Sequence, residues 1–393
     1  MKDKMRYVKM SIWALGLLLA ACTSDDGPEA MGYEGRSDAP TAEAMGGEIR
    51  INVGGTGSRT RADGALSFDY DYLQQQCSWP GEAQNYFRVD AYMVDDRTKK
   101  YIDGSYVLYN TYASQFPWKF CNAAGDVQSY YWPYSLGFDF FAYAPAMSDG
   151  AAQEPTIAAN GVEYAGFDPV ENKHTLSCDL SGFSYGSQEM MTEFIYAYEP
   201  GQTYAAHGQS GVTLHFQHPL AAVIIRLSSA FDGLKLNSVA FTSTDLGNGK
   251  GTGIYQQGTG TCSADGTTWE VPEGTVASDF TIYYNLVMNE SMFIGNIYEK
   301  PFLVMPQPLI DREGLEDVVM QIKYAKRSNT GSGYADEKTV TLPITGEIDS
   351  WESGKAYVYS LELGKDESII VGASVEPWNY QGDHTVVPID KDE

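Results

Sequence analysis

The side chain with the most defined chemical context is the thiol of Cys22. It follows Leu19-Ala20-Ala21, at the end of an apolar run that begins at Ile12 behind Lys2, Lys4, Arg6 and Lys9. A basic start, about ten apolar residues and small residues before a cut describe a secretory signal. A second such position is the Gly/Ser-rich stretch 54–61, where Arg59 and Arg61 stand in an otherwise acidic chain. Exposed basic residues on such a loop are where a trypsin-like protease cuts. Groups for catalysis are scarce. The histidines are His174, His207, His215, His218 and His384. His215 and His218 stand three apart in a predicted strand, so they point to opposite faces and cannot share a metal. The chain has no HExxH, GxSxG or P-loop pattern. Gly247-Asn248-Gly249-Lys250-Gly251 lacks the strand-to-helix context of a phosphate cradle and reads as a loop. Asp95-Asp96 and Asp25-Asp26 read as solvated turn residues. With 52 acids in the chain, carboxylate pairs are everywhere and none stands out as a glycosidase site. The sequence therefore predicts no catalytic residue, no metal and no cofactor.

The elements that carry these residues follow from composition and pattern. The chain has 393 residues, above the usual size of a single core, so two domains are expected. Formal net charge is −26, and losing residues 1–21, with four basic groups and one acid, brings it to −29. Such a chain repels nucleic acid and anionic lipid, since phosphate contacts need clustered Lys and Arg. Beyond the first run, no apolar stretch approaches the length of a membrane span. Cys77, Cys121, Cys178 and Cys262 form no CxxC pair, which weakens a zinc reading. One disulfide among them and a set of buried small hydrophobes are both compatible with export.

Residues 22–47 are polar and patternless, a flexible tether. Glu48–Val53 alternates cleanly, with Ile49, Ile51 and Val53 on one face, and predicts a strand. After Phe68 the reading is almost all β. Tyr, Phe, Trp, Val and Thr are abundant, and 40 glycines and 17 prolines supply turns. Predicted strands include Tyr86–Val94, Leu136–Tyr143, Val212–His218, Gly253–Gln256, Val318–Tyr324 and Tyr357–Leu363. Short helices are expected at Leu73–Cys77 or Asp311–Glu316. Pro200–Gly211 reads as a linker between two β-sandwich halves, 48–208 and 209–393. The aromatic runs Tyr130-Tyr131-Trp132-Pro133 and Phe138-Asp139-Phe140-Phe141-Ala142-Tyr143 read as sandwich core, with sugar stacking as the rival.

Leu19-Ala20-Ala21-Cys22 resembles the lipobox of bacterial lipoproteins, which implies cleavage before Cys22 and lipidation of that residue. Thr23-Ser24-Asp25-Asp26 resembles the acidic signal that sends lipoproteins of Bacteroidota to the outer surface. The aromatic turn and strand at 130–145 resemble the signature of the fimbrillin family, the type V pilins of Bacteroidota. Landmarks of that family recur in order: Phe216-Gln217-His218-Pro219-Leu220, Met305-Pro306-Gln307-Pro308, Trp351-Glu352-Ser353-Gly354-Lys355 and Val375-Glu376-Pro377-Trp378-Asn379.

The resemblance implies two transthyretin-like β-sandwich domains, no enzymatic activity and a fimbrial subunit. It implies a precursor held in the outer membrane by its lipid, cut by an Arg-specific protease after Arg61 or Arg59. The segment 48–61, with Ile49, Ile51 and Val53, would be lost, and a strand from another subunit would fill the vacancy. Burying three such side chains is worth roughly 1.5–3 kcal/mol each, and strand addition restores the backbone pairing. The expected donor lies within 368–389, where Ile369, Val371, Ala373 and Val375 alternate and Val386, Val387 and Ile389 form a second short run. Adhesion to a host or bacterial ligand is the expected role. The rival is a monomeric surface lipoprotein that stacks Trp79, Trp118 or Trp132 on glycans.

Overall fold

Alternation of inward and outward side chains builds many of the strands, and a few are buried along their whole length. The structure is a computed structural model that describes residues 45–54, 78–79, 85–110, 112–113, 116–147, 161–182, 185–186, 194–229, 233–288, 293–294, 302–327, 333–344, 348–363 and 369–377. In chain order the strands begin with β1 (Met45–Glu48), β2 (Ile51–Gly54), β3 (Ser78–Trp79), β4 (Asn85–Met93), β5 (Asp96–Asn110), β6 (Trp118–Cys121), β7 (Tyr131–Pro133) and β8 (Gly137–Met147). Next come β9 (Val162–Asp168), β10 (Lys173–Asp179), β11 (Tyr185–Gly186), β12 (Ile195–Thr203), the single-turn helix α1 (Tyr204–His207) and β13 (Val212–His215). Then follow β14 (Ala221–Ser229), β15 (Leu234–Ser243), β16 (Gln257–Ser263), β17 (Gly266–Glu270), β18 (Phe280–Met288), β19 (Phe293–Ile294) and β20 (Phe302–Val304). The last are β21 (Gln307–Pro308), β22 (Val318–Lys326), β23 (Lys338–Pro343), β24 (Ser350–Trp351), β25 (Lys355–Leu363) and β26 (Ile369–Pro377).

The all-β expectation holds. An eight-stranded sheet runs β12-β8-β4-β5-β6-β2-β13, with β3 beside β5. Tyr196 and Gln217 then pair through N–H···O bonds of 3.1 and 2.7 Å, which brings the far end of this sheet back to β12. A five-stranded sheet, β11-β18-β15-β22-β23, faces a second one built from β19-β14-β25-β26 with β20 alongside β14. A four-stranded sheet, β17-β16-β10-β9, draws two strands from each half of the chain.

Three large apolar cores result among the described residues. The first holds Ile49, Ile51, Val53, Phe87, Trp118 and Phe138. The second holds Val223, Phe241, Ile282, Met320 and Trp351. The third lies between them and takes Phe141, Leu176 and Tyr196 from one half and Leu220, Cys262 and Leu303 from the other. The Phe140-Phe141 doublet explains how this works. Successive side chains on β8 point to opposite faces, so Phe140 enters the first core and Phe141 the third. Between the two phenylalanines and the preceding Phe138, Asp139 is buried with Arg97 Nε at 2.6 Å and the Gly201 N–H at 2.7 Å.

Several expectations change. The predicted strand Glu48–Val53 is two strands, because the chain changes partners at Ile49 and Arg50. The Ile49 N–H donates to Tyr130 O (2.7 Å), and Arg50 O accepts from the Val212 N–H (2.8 Å). Pro200–Gly211 is no linker: it runs from β12 through α1 into β13, inside the eight-stranded sheet. The expected boundary at 208/209 falls within that stretch. Gly211, at φ +79°, makes the return to β13, a backbone region that glycine enters without strain. Asp311–Glu316 is a turn, not a helix: Asp311 has φ +51°, and the Arg312 guanidinium is drawn inward to Gly253 O (2.6 Å) and Glu316 O (3.2 Å). At Gly253–Gln256, Ile254 forms an isolated bridge to Ser278 and Gln256 O accepts from the Leu180 N–H (2.8 Å), and the strand starts at Gln257. Leu73–Cys77 lies outside the described residues.

Candidate strand-insertion groove

Ile49, Ile51 and Val53 do converge. They are 2, 1 and 8% exposed and share the first core with Trp118, Val212 and Leu214. Around them, β2 lies between two neighbours. It runs parallel to β13 in the register Ile51↔Val212, Asn52↔Thr213, Val53↔Leu214 and Gly54↔His215. On its other side it meets β6 antiparallel, at Ile51↔Trp118. The strand is therefore internal to its sheet. The first segment, β1, pairs separately with β7, at Met45↔Pro133 and Glu48↔Tyr131.

The fastenings beyond the ladder are few and mostly exposed. Asn52 Nδ2 donates to Ser210 O (2.8 Å), and Ser129 Oγ donates to Glu48 Oε1 (2.8 Å). The Arg50 guanidinium stands 4.6 Å from the centre of the Phe116 ring, a cation–π contact worth about 0.5–1 kcal/mol at an exposed site. At the end of β13, Glu199 Oε1 accepts from the His215 N–H (2.9 Å) and lies 2.7 Å from its Nδ1. The strand is thus held chiefly by buried side chains and backbone pairing, both of which another strand of suitable pattern could supply.

Residues that sequence reasoning missed complete the groove. β6 supplies Trp118 and Phe120 to the first core; the alternation Trp118-Lys119-Phe120 was the available signal. Trp118 and Trp132 are 3 and 0% exposed, which agrees with the core reading of the run at 130–133 and overturns the rival in which these two side chains stack on glycans, since rings closed off on all sides have no free face. Trp79 lies on β3 and its side chain is outside the described residues, as are Cys22, Arg59, Arg61, Val386, Val387 and Ile389. The backbone of Ile369, Val371 and Val375 forms β26, which pairs with β25 from Lys355↔Pro377 to Leu363↔Ile369. Ala373 packs against the second core and Val375 is 44% exposed. Among the described residues no group of three His, Cys, Asp or Glu side chains is arranged to hold a metal.

The third core contains a strongly perturbed histidine. His174 stacks on Phe141, ring centres 3.8 Å apart and 5° from parallel, and its Nδ1 is 2.9 Å from the Tyr164 hydroxyl. Burial, reinforced by the charge of Lys100, drives its pKa down to about 3. It is a neutral core histidine that ties β10 to β9 and β8.

The chain is thus an all-β protein whose β2 is internal to its sheet, between β13 and β6. A family model described as fimbrillin-like matches residues 82–378, and the chain belongs to that family. The matched segment contains β6 and β13, the walls of the groove, and begins after β2. Among solved structures, a fimbrial protein from Bacteroides vulgatus ATCC 8482 is similar at TM-score 0.53 and 14% identity, covering 84% of this chain and 99% of that one. A candidate cell-adhesion protein from Bacteroides uniformis ATCC 8492 is similar at TM-score 0.43 and 13% identity, covering 86% of this chain and 100% of that one. At 14% identity the first of these bears on the fold alone. No curated protein matches the chain in sequence.

Proposed function

We propose that the chain is a fimbrial subunit that is exported as a lipoprotein through Cys22, activated by a cut after Arg59 or Arg61, and assembled by strand exchange, with a role in cell adhesion. The position of β2 between β13 and β6 carries this reading. Loss of an edge strand would leave a smaller sheet; loss of β2 leaves two facing strand edges and an open apolar trough. A replacement must run parallel to β13 and antiparallel to β6, with apolar side chains two apart to take the places of Ile51 and Val53. Segment 368–389 is the proposed donor. Its first part, β26, sits at an edge of its own sheet, so it can leave without opening a second trough. The partners are other subunits of this kind, an Arg-specific protease and, for the precursor, the outer membrane.

Intact-mass analysis of protein from the cell surface, before and after limited digestion with an Arg-specific protease, tests this reading. The precursor is expected to begin at lipidated Cys22, the processed chain at Thr60 or Ala62, and only the processed chain to form ladders on size analysis. A cut chain that stays monomeric refutes assembly by strand exchange. The monomeric glycan-binding alternative loses Trp118 and Trp132 as its stacking residues.

A further inference from the structure

The edge of the shared four-stranded sheet presents a tryptophan in a closely defined setting. Trp269 on β17 stands opposite Gly260 on β16. A Cβ at Gly260 would lie 3.1 Å from the indole, and one at Gly258 would lie 3.4 Å from it. The two glycines let the ring lie against the strand, where larger residues would hold it off. Its Nε1 donates to Pro219 O at 2.6 Å. The indole packs on the third core and is half-buried, and it lines a shallow, open cavity of about 520 Å³ between the β16–β17 hairpin and the segments around β21 and β24.

The walls of this cavity are fixed before any ligand arrives. Ser353 Oγ lies 2.9 Å from Pro219 O and 3.1 Å from Thr267 O, joining the turn after β24 to the hairpin. The Glu352 N–H donates to the Tyr357 hydroxyl (2.8 Å). Gln307 is locked to Tyr255 through both ends of its amide, at 2.8 Å each. Asp265, Thr268 and Glu352 also line the space and are exposed. Lys355 is paired with Glu352 at 2.7 Å.

We infer that this cavity is a binding site for a neutral pyranose ring, the sugar of a glycan met at the cell surface. A fixed indole offers dispersion and apolar burial to the C–H face of a sugar. The carboxylates of Asp265 and Glu352 accept hydrogen bonds from vicinal hydroxyls, and charged acceptors make stronger bonds than neutral ones. The Asp265 carboxylate repels sialic and uronic acids, phosphates and acidic peptides, whereas the charge of Glu352 is balanced by Lys355. The inference gives a ligand class to the adhesion part of the reading above. Its test uses the uncut precursor, so a failure of strand exchange does not enter the result.

The test is saturation-transfer NMR on the full-length precursor with methyl β-D-glucopyranoside, methyl β-D-galactopyranoside and methyl α-D-mannopyranoside at about 10 mM, suited to the millimolar affinity of a single ring. Transfer to the ring C–H protons of at least one is expected, with none to N-acetylneuraminic acid. Trp269→Leu and Asp265→Asn should each weaken binding about tenfold, the equivalent of 1.4 kcal/mol. Asp265 is on the exposed hairpin turn, so Asp265→Asn decides the matter where Trp269→Leu fails to fold. Absence of transfer to all three neutral sugars, equal transfer to N-acetylneuraminic acid, or undiminished binding by Asp265→Asn overturns the assignment.

Discussion

Replacing Ile51 with alanine tests whether the first strand is held as the structure implies. Ile51 is 1% exposed, and its register partners are Val212 on one side and Trp118 on the other. The removed atoms leave a cavity that β6 and β13 cannot close, because both are fixed in the same sheet. Isoleucine-to-alanine changes at such sites destabilise by about 2–5 kcal/mol. In the uncut precursor this loss should appear as a lower urea midpoint with an unchanged slope. In the cut protein the strand is a separate peptide, so the same loss falls on its retention. A change of 2–5 kcal/mol lowers that retention roughly thirty- to several-thousand-fold. The assay is size-exclusion chromatography of cut protein carrying a fluorescent label on the first-strand peptide. Asn52→Ala is the control: it deletes one exposed hydrogen bond to Ser210 O and should shift stability by about 0.5–1.5 kcal/mol. If Ile51→Ala and Asn52→Ala release the peptide equally, the strand is not held by its buried side chains, and the argument for a trough fails.

Two further outcomes follow from the buried titratable groups. The folded-state pKa of His174 is near 3, below its ordinary value of 6.5, so the unfolded chain takes up a proton that the folded chain refuses. Stability should be unaffected by this group above about pH 6.5 and should fall as pH drops toward 3, by about 3 kcal/mol at pH 4. Asp90, whose carboxyl burial raises, offsets part of this. The clean measurement is therefore the difference in chemical unfolding between the wild type and His174→Phe, which should shrink the acid loss. Cys121, Cys178 and Cys262 are buried free thiols, and burial pushes Cys121 and Cys178 up to about 12. Native protein should therefore leave these three unlabelled by iodoacetamide at pH 8, and urea should expose them together. Cys178 pairs with Gly258, four residues along β16 from Cys262, so a disulfide between the two is not expected in peptide mapping.

The strands legible in the sequence were those whose inner face is conventionally apolar. Val318–Lys326 places Val318, Met320, Ile322 and Tyr324 inside, and the period-2 pattern announces it. None of the four strands of the shared sheet was foreseen. β10 turns His174, Leu176 and Cys178 inward, and β16 turns Gly258, Gly260 and Cys262 inward. Histidine is commonly a surface residue and glycine a strand breaker, so their alternation carries no apolar signal. What makes them strand residues is tertiary: Phe141 stacks on His174, and Trp269 takes the volume the glycines leave. The groove divided in the same way. Ile49, Ile51 and Val53 were readable as one face, but nothing local indicated that β13, some 160 residues away, would be their parallel neighbour.

The separation of the cores decides what losing the first strand can do. Residues 45–54 contribute Ile49, Ile51 and Val53 to the first core and nothing to the second or third. Their burial is worth together about 5–9 kcal/mol, comparable with the whole stability of a typical domain, about 5–15 kcal/mol. A subunit stripped of the strand should therefore loosen around its first core while its second persists. Amide hydrogen exchange on stripped subunits is expected to lose protection in β6, β7 and β13 and to keep it in β15, β22 and β25. Such a species exposes two strand edges and an apolar trough, and it is short-lived unless another strand arrives. Under the proposed strand exchange, the incoming strand should enter as the first one leaves, starting where the ladder is thinnest, at the single β2–β6 pair. Equal loss of protection in β15 and β22 would mean that the molecule unfolds as one unit, and that no stripped acceptor exists for a donor to find.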